Sequence, residues 1–99
     1  MRVIARKALR EFWQLPGHAD AEQPLKAWFR EAEEADWATP AEVKADYRNA
    51  SIIRGGRIVF NIAGNKYRLV VQINYPYRVV YIRFVGTHQE YDRIDVEKV

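Results

Sequence analysis

Three consecutive stretches in the C-terminal half of the chain alternate between apolar and polar side chains, and this pattern restricts the fold more than any other feature. They cover residues 57–62, 67–74 and 78–85. Alternation with a period of two, in segments rich in β-branched and aromatic residues, is typical of strands buried on one face only. Strands of a parallel sheet covered on both sides would be apolar throughout. The sequence therefore predicts an antiparallel sheet with helices packed against one face.

The alternation also assigns each side chain to a face. The predicted inner face carries apolar residues of all three stretches: Ile58, Phe60, Ile62, Tyr67, Leu69, Val71, Ile73, Val80, Ile82 and Phe84. If the stretches pair as a meander, the polar residues share the outer face with a few apolar ones, including Val85. The polar residues of this face are Arg57, Asn61, Arg68, Gln72, Tyr81 and Arg83.

The rest of the chain adds helices, so the predicted fold class is α+β in a single domain, residues 1–99. A short strand over residues 1–4 precedes a helix that stops before Pro16. Asp20-Ala21-Glu22-Gln23 has the spacing of a capping box for a second helix, and Thr39-Pro40-Ala41-Glu42 predicts a third, which ends near Tyr47. Two strands flank Gly55-Gly56, which we expect to form a two-residue hairpin loop. A short helix is expected at the C-terminal end.

Side chains on the predicted helices serve mainly the core in this interpretation. Trp28, Phe29, Trp37 and Tyr47 are expected to pack the helices onto the sheet rather than to stack on RNA bases. His18 lies in a polar loop and is expected to be solvated without a role. The acidic residues between Glu31 and Asp36 suit either a partner surface or, as we expect, a solvated helix face.

Composition excludes several classes of site. The chain has no cysteine, so neither a disulfide nor a thiolate metal site is possible, and with two histidines no metal site is expected. The basic start lacks the apolar core of a signal peptide, and no stretch approaches the ~18 apolar residues of a membrane span. A cytoplasmic protein that requires no cofactor is expected.

Charge is unevenly distributed along the chain. Residues 1–46 hold seven lysines and arginines against nine acids, whereas residues 47–99 hold nine against four. The predicted sheet therefore carries the basic excess, which favours a polyanion or an acidic protein as partner at that end. The alternative is that the basic half is merely a soluble surface.

A cluster that follows the last strand has the groups that RNA cleavage without a metal requires. A base must remove the 2′-hydroxyl proton, a cation must stabilise the phosphate charge, and an acid must protonate the leaving oxygen. His88 is the residue best suited to titrate near neutrality. Tyr91 can donate or orient a proton, and Arg68 can bind the phosphate with its planar guanidinium. Asp92 either orients His88 or, as we expect, caps the short C-terminal helix.

Two motifs carry a resemblance to a known family. NIAGNKYRLVV at residues 61–71, followed by VGTHQEYDRID at residues 85–95, resembles the HigB-type toxins of bacterial toxin–antitoxin modules, within the RelE-like ribonuclease superfamily. The likeness extends to the start of the chain, to TPAEVKADY at residues 39–47 and to the overall length.

The resemblance implies an mRNA interferase that cuts mRNA during translation on the ribosome. It also implies a helix-turn-helix, HigA-like antitoxin as partner. The toxin would contact DNA only indirectly, through its complex with this antitoxin. Arg68 matches the phosphate-binding arginine of the family, and His88 and Tyr91 match its terminal motif. Lys66 and Asn61 lie in the matching flanks, and Arg57 and Arg83 extend the expected RNA-binding face. The paired lysines of many RelE relatives have no counterpart here, so the general base stays open, with His88 as our inference.

Two other functions fit the same residues. A non-catalytic RNA- or ribosome-binding module would use the basic face without chemistry, and its binding would weaken with salt but would not depend on His88. A partner-docking domain would use the acidic run or the sheet face to bind another protein.

Overall fold

Five strands form one sheet in the computed structural model, which describes residues 1–99. In chain order the elements are β1 (Arg2–Ile4), α1 (Arg6–Gln14), a 3₁₀ turn (Ala19–Ala21), α2 (Glu22–Glu34), α3 (Pro40–Asp46), β2 (Ser51–Ile53), β3 (Arg57–Ile62), β4 (Tyr67–Asn74), β5 (Val79–Thr87) and α4 (His88–Tyr91). The strand order is β1-β5-β4-β3-β2. Only the β1–β5 pair is parallel. The predicted α+β class and the meander of β3, β4 and β5 are confirmed.

Helices α1 to α3 cover one face of the sheet and enclose the main core. Leu9, Leu25 and Val43 of these helices are fully buried against Ile58 and Leu69 of the sheet. The predicted packing of helix aromatics on the sheet is also present, since the rings of Trp28 and Tyr47 lie 5.4 and 5.0 Å from that of Phe60. None of the four α-helices combines the length and apolar character that a membrane crossing requires.

The two predicted helix caps have different outcomes. The Thr39 hydroxyl accepts a hydrogen bond from the Glu42 backbone N–H at 3.3 Å, and Pro40 occupies the first turn of α3, so this cap is confirmed. The capping box at Asp20–Gln23 is wrong. Asp20 lies inside the 3₁₀ turn, α2 begins at Glu22, and the Asp20 carboxylate accepts hydrogen bonds from Lys66 and Tyr67 instead.

The hairpin of β2 and β3 has a longer loop than predicted. Ile53 pairs with Arg57, so the loop contains three residues, Arg54 together with Gly55 and Gly56. Both glycines have positive φ, +75° and +76°. A Cβ on Gly56 would lie 3.0 Å from the Ile73 carbonyl oxygen, so this glycine also permits the loop to approach β4 closely.

The outer face of the sheet is not fully open. Val59 and Val70 project from it and are buried to 3% and 0% exposure, although α1 to α3 lie on the other side. Arg57 donates two hydrogen bonds to the Val99 main-chain oxygen, at 2.8 and 3.2 Å, which holds the C-terminal segment (residues 92–99) against this face. We attribute the burial of the two valines to that segment, in which Ile94 is half-buried.

Candidate nucleic-acid interface

A β-bulge sets which side chains of β5 reach the outer face. The register shifts between Val70, which pairs with Phe84, and Val71, which pairs with Ile82, so Arg83 has no partner of its own. Directly paired residues share a face. Phe84 therefore lies on the outer face with Val70, and Val85 packs against the core, so the predicted faces of these two residues are wrong. The extra residue shifts the alternation by one position, so the residues after the bulge lie on the face opposite to the predicted one.

Three of the predicted site residues lie close together. Asn61 and Arg68 belong to one row across the sheet, and His88 lies next to the end of this row. Arg68 of β4 pairs with Asn61 on β3 and with Gly86 on β5, and His88 follows Gly86 by two residues. The His88 backbone N–H also donates to the Lys66 carbonyl at 3.2 Å, which brings the β3–β4 turn next to α4. The sequence motifs that surround Arg68 and His88 are thus adjacent in space.

Arg68 is a buried cation, only 9% exposed, whose hydrogen bonds go to neutral acceptors. Its Nη1 donates to the main-chain oxygens of Asn65 and Tyr67 at 2.9 and 3.2 Å, and its Nη2 to Asn65 Oδ1 at 3.4 Å. None of the five ion pairs of the chain includes it. A buried charge without an opposite charge is unfavourable, and an anion beside it would be stabilised.

Thr87 and Glu90 fix the start of α4 and therefore the position of His88. The Thr87 N–H donates to Glu90 Oε1 at 2.8 Å and the Glu90 N–H donates to Thr87 Oγ1 at 3.1 Å, which is a complete capping box. The hydrogen bond from the Thr87 backbone is the main reason why the pKa of Glu90 lies below its usual value. Spacing alone would have revealed this T-x-x-E signal.

Asp92 is the C-cap residue of α4, and its side chain lies beside His88. Its Oδ2 is 3.3 Å from His88 Nδ1, and both side chains are about half exposed. The expected capping position is confirmed, because α4 ends at Tyr91 and the Asp92 backbone N–H donates to the His88 carbonyl at 3.0 Å. A carboxylate at Nδ1 favours the proton on that nitrogen, which leaves Nε2 as the acceptor. Tyr91 is three residues beyond His88, so the two share one side of α4.

The remaining predicted cations have partners within the chain. The ammonium group of Lys66 pairs with the Asp20 carboxylate, and Arg57 is bound to the Val99 main-chain oxygen. Arg83 donates through Nε and Nη2 to Gln72 Oε1, at 3.1 and 2.8 Å. No group of three or more His, Cys, Asp or Glu side chains in residues 1–99 could hold a metal ion.

Comparison with known proteins assigns the sequence to a family. Residues 21–94 match the family model described as HigB toxin, the RelE-like toxic component of a toxin–antitoxin system. This chain belongs to the HigB toxin family. It is also similar to the mRNA interferase HigB of Escherichia coli O6:H1 (strain CFT073), with 26% identity over 72 residues that cover 71% of this chain and 70% of that protein.

This HigB-family toxin has a polar cluster, at the corner next to α4, whose role the sequence did not reveal. The hydroxyl of fully buried Tyr67 donates to Asp20, which also accepts from Lys66. The hydrogen bond from Lys66 and, to a smaller extent, the one from Tyr67 lower the pKa of Asp20. The hydrogen bond to Asp20 raises the pKa of Lys66. The pKa of Tyr67 is raised mainly by its burial and also by its hydrogen bond to Asp20.

His18 belongs to the same corner, so the prediction of a solvated loop histidine is wrong. Its ring stacks on Phe12 at 4.4 Å between centroids and meets the edge of Tyr67 at 5.6 Å. Its Nδ1 is buried without a hydrogen-bond partner. Residues 12, 18 and 67 are not spaced by a helix or strand period, so no signal in the sequence pointed to this cluster.

Proposed function

We propose that this HigB-family toxin is an endoribonuclease that cleaves mRNA through attack of the RNA 2′-hydroxyl. The observation that carries the proposal is the buried guanidinium of Arg68, which lacks a carboxylate partner and lies in the row that leads through Gly86 to His88. A phosphodiester supplies the missing negative charge. The name of the E. coli relative, an mRNA interferase, supports the choice of RNA as the source of that phosphate.

The residues take distinct parts in the proposed reaction. His88, with Asp92 at Nδ1, accepts the 2′-hydroxyl proton at Nε2. The 2′-oxygen then forms a bond to phosphorus while the bond to the 5′-oxygen breaks, which leaves a 2′,3′-cyclic phosphate. Arg68 stabilises the charge on the non-bridging oxygens, and Tyr91 donates or relays the proton to the leaving 5′-oxygen. Asn61, opposite Arg68, contacts the same phosphate or its sugar.

Lys66, Arg57 and Arg83 serve the RNA strand at longer range in this proposal. Lys66 holds the β3–β4 turn against Asp20, so its charge reaches the RNA only in part. We further propose that cleavage occurs in the cytoplasm on the translating ribosome, and that a HigA-like helix-turn-helix antitoxin neutralises the toxin. The family description supports an antitoxin as partner, because it names this chain's family as the toxic component of a toxin–antitoxin system.

Controlled expression in a bacterial host tests the catalytic assignment. We expect the parent to arrest growth and to create new 5′ ends within coding regions, and His88→Ala or Arg68→Ala to abolish both. Matched controls are Gln89→Ala, an exposed neighbour of His88, and Arg10→Ala, an exposed arginine of α1; both should remain toxic. Arrest without new ends would support the binding module instead. A toxic His88→Ala Arg68→Ala double variant would refute the assigned site.

Ribosome dependence needs a separate measurement with purified protein. The parent and His88→Ala would each be incubated with the same mRNA, first alone and then in a reconstituted translation reaction. We expect cleavage by the parent in the translation reaction only, and its loss when the antitoxin is added before the toxin. Equal cleavage of free mRNA would contradict the ribosomal part of the proposal while it leaves the ribonuclease assignment intact.

A further inference from the structure

A groove crosses the outer face at the end of the sheet remote from His88. It lies between the β2–β3 loop and the β4–β5 turn and has a volume of about 530 Å³. The Gln72–Tyr81 pair at the groove lies five residue steps along β4 from the Tyr67–Thr87 pair beside His88, which corresponds to about 17 Å. The groove is thus separate from the proposed cleavage site but on the same sheet.

The Arg83 guanidinium lies over the ring of Tyr81 in this groove, and we call this stacked pair the platform. The centre of the Arg83 guanidinium lies 5.3 Å from the Tyr81 ring centroid. Gln72 holds the guanidinium through the two hydrogen bonds to its Oε1, and its Nε2 donates to the Gly55 carbonyl at 3.0 Å. The platform is therefore oriented before any ligand arrives, although Arg83 is exposed.

The chemistry of the groove walls favours an uncharged, planar, hydrogen-bonding ligand with a nearby negative charge. Tyr75 lines the groove, but its hydroxyl is buried and its side chain also packs against the core, so it offers the groove apolar surface. The amide of Asn74, which also lines the groove, can donate to a base edge. No carboxylate lines the groove, whereas the two other cavities of the chain include Asp46.

We propose that this groove binds an unpaired base of the RNA strand, several nucleotides away from the phosphate at Arg68. The inference rests on the proposed function, because it takes RNA as the ligand. Single-stranded RNA is recognised by stacking on aromatic rings and guanidinium planes, with hydrogen bonds to base edges. An acidic peptide would need the charge of Arg83 but would gain little from the ring of Tyr81, so we prefer RNA.

Binding of a short, unstructured, fluorescently labelled RNA to the full-length His88→Ala chain tests the groove without cleavage. We expect Tyr81→Ala to weaken binding by about 5- to 100-fold, the range for loss of one stacked base. Tyr81→Phe keeps the ring and should bind within about twofold of the parent. Tyr77→Ala is the matched control, because Tyr77 is a 79% exposed tyrosine of the neighbouring turn that does not line the groove.

Two further readouts separate stacking from a structural or electrostatic effect. Tyr81→Ala should leave the slope of log affinity against log salt unchanged, since no phosphate contact is lost. A 5-iodouridine-substituted RNA should photocross-link to Tyr81, and equal unfolding midpoints would show that the variants are folded. Unchanged RNA affinity of Tyr81→Ala, or cross-links at Tyr91 alone, would overturn the inference. If Tyr81→Ala instead lost affinity for the antitoxin alone, the groove would be a protein-docking surface.

The result of the groove test can be interpreted whether or not the protein cleaves RNA. If the parent cleaves no RNA but Tyr81→Ala still weakens RNA binding selectively, the base-binding groove stands and the ribonuclease proposal fails. If the parent cleaves RNA and the affinity does not depend on Tyr81, the groove fails and the ribonuclease proposal stands.

Discussion

Gly86→Ala tests whether the contact between β5 and α4 is as close as the structure shows. An added Cβ would lie 2.6 Å from Phe84 Cζ, and 3.1 Å from both Phe84 Cε1 and Glu90 Oε1. Overpacking of this kind costs about 1–3 kcal/mol, and replacement of a strand glycine by alanine returns roughly 0.5–1 kcal/mol of chain entropy. We therefore expect a net loss of about 1–2 kcal/mol, equivalent to a decrease in Tm of roughly 5–15 °C.

Activity should fall further than stability alone explains. Glu90 is held by the Thr87 N–H, so a displaced Glu90 loosens the capping box that positions His88. A misplacement of about 1 Å can reduce the rate roughly 100-fold. The measurement is thermal and urea unfolding by tryptophan fluorescence, with RNA cleavage assayed well below the Tm of the variant.

A double variant provides the sharper test of the steric reasoning. Phe84→Leu removes both ring atoms of the contact, so Gly86→Ala should cost less than half as much in that background. Gly17→Ala is the control: Gly17 has φ of +83° and no atom within 4 Å of a built Cβ, so its cost is backbone strain of about 1–2 kcal/mol and Phe84→Leu should not relieve it. Equal penalties for Gly86→Ala with and without Phe84→Leu would refute the reasoning.

Three further expectations follow from the same contacts. Arg68→Lys keeps the charge but loses the planar fork, so the cleavage rate should fall about 100- to 1,000-fold while the Tm changes little; a rate within about threefold of the parent would contradict the phosphate role. The lowered pKa of Asp20 predicts stability that is present above pH 3.8 and lost as the pH falls through the folded-state pKa. The raised pKa values of Tyr67 and Lys66 predict stability that is present below pH 10.0 and lost as the pH rises through their folded-state pKa values. In urea titrations that extend below pH 3.8, Asp20→Asn should flatten the acid limb; an unchanged limb would exclude Asp20 as its source. Ala63 has φ of +54°, so Ala63→Gly should raise stability by about 0.5–1 kcal/mol in the same titration, and a lower midpoint would show that the strain is absent.

The fold was largely readable because its strongest signals are local. Alternation in residues 57–62 and 67–74 gave the correct faces, and Thr39 capped α3 as its spacing predicted. Asn61 and Arg68 lie on the outer face that the alternation predicted for both, and the register of the structure places them opposite each other. Such features depend on neighbours in sequence, which a pattern records.

The features that sequence did not reveal depend on distant partners. Asp20 has the spacing of a cap, but the hydroxyl of Tyr67 and the charge of Lys66, more than 40 residues away, compete for its carboxylate. The bulge in β5 was hidden because Phe84 and Val85 are both apolar, so their alternation is compatible with either phase. The cover over Val59 arises from a tail whose apolar residues show no clear periodicity.

The unpaired residue of the bulge has a consequence for the evolution of the chain. Deletion of Arg83 would place Ile82 directly before Phe84 and restore an unbroken alternation, in which Phe84 keeps its place opposite Val70 and Val85 keeps its place opposite Leu69. Gly86 would stay opposite Arg68, and the Thr87–Glu90 cap and His88 would keep their side of the sheet. A single codon lost at the bulge could therefore be absorbed within β5, whereas a further codon gained there would shift His88 by one position relative to Arg68 while every residue of both motifs remained in place.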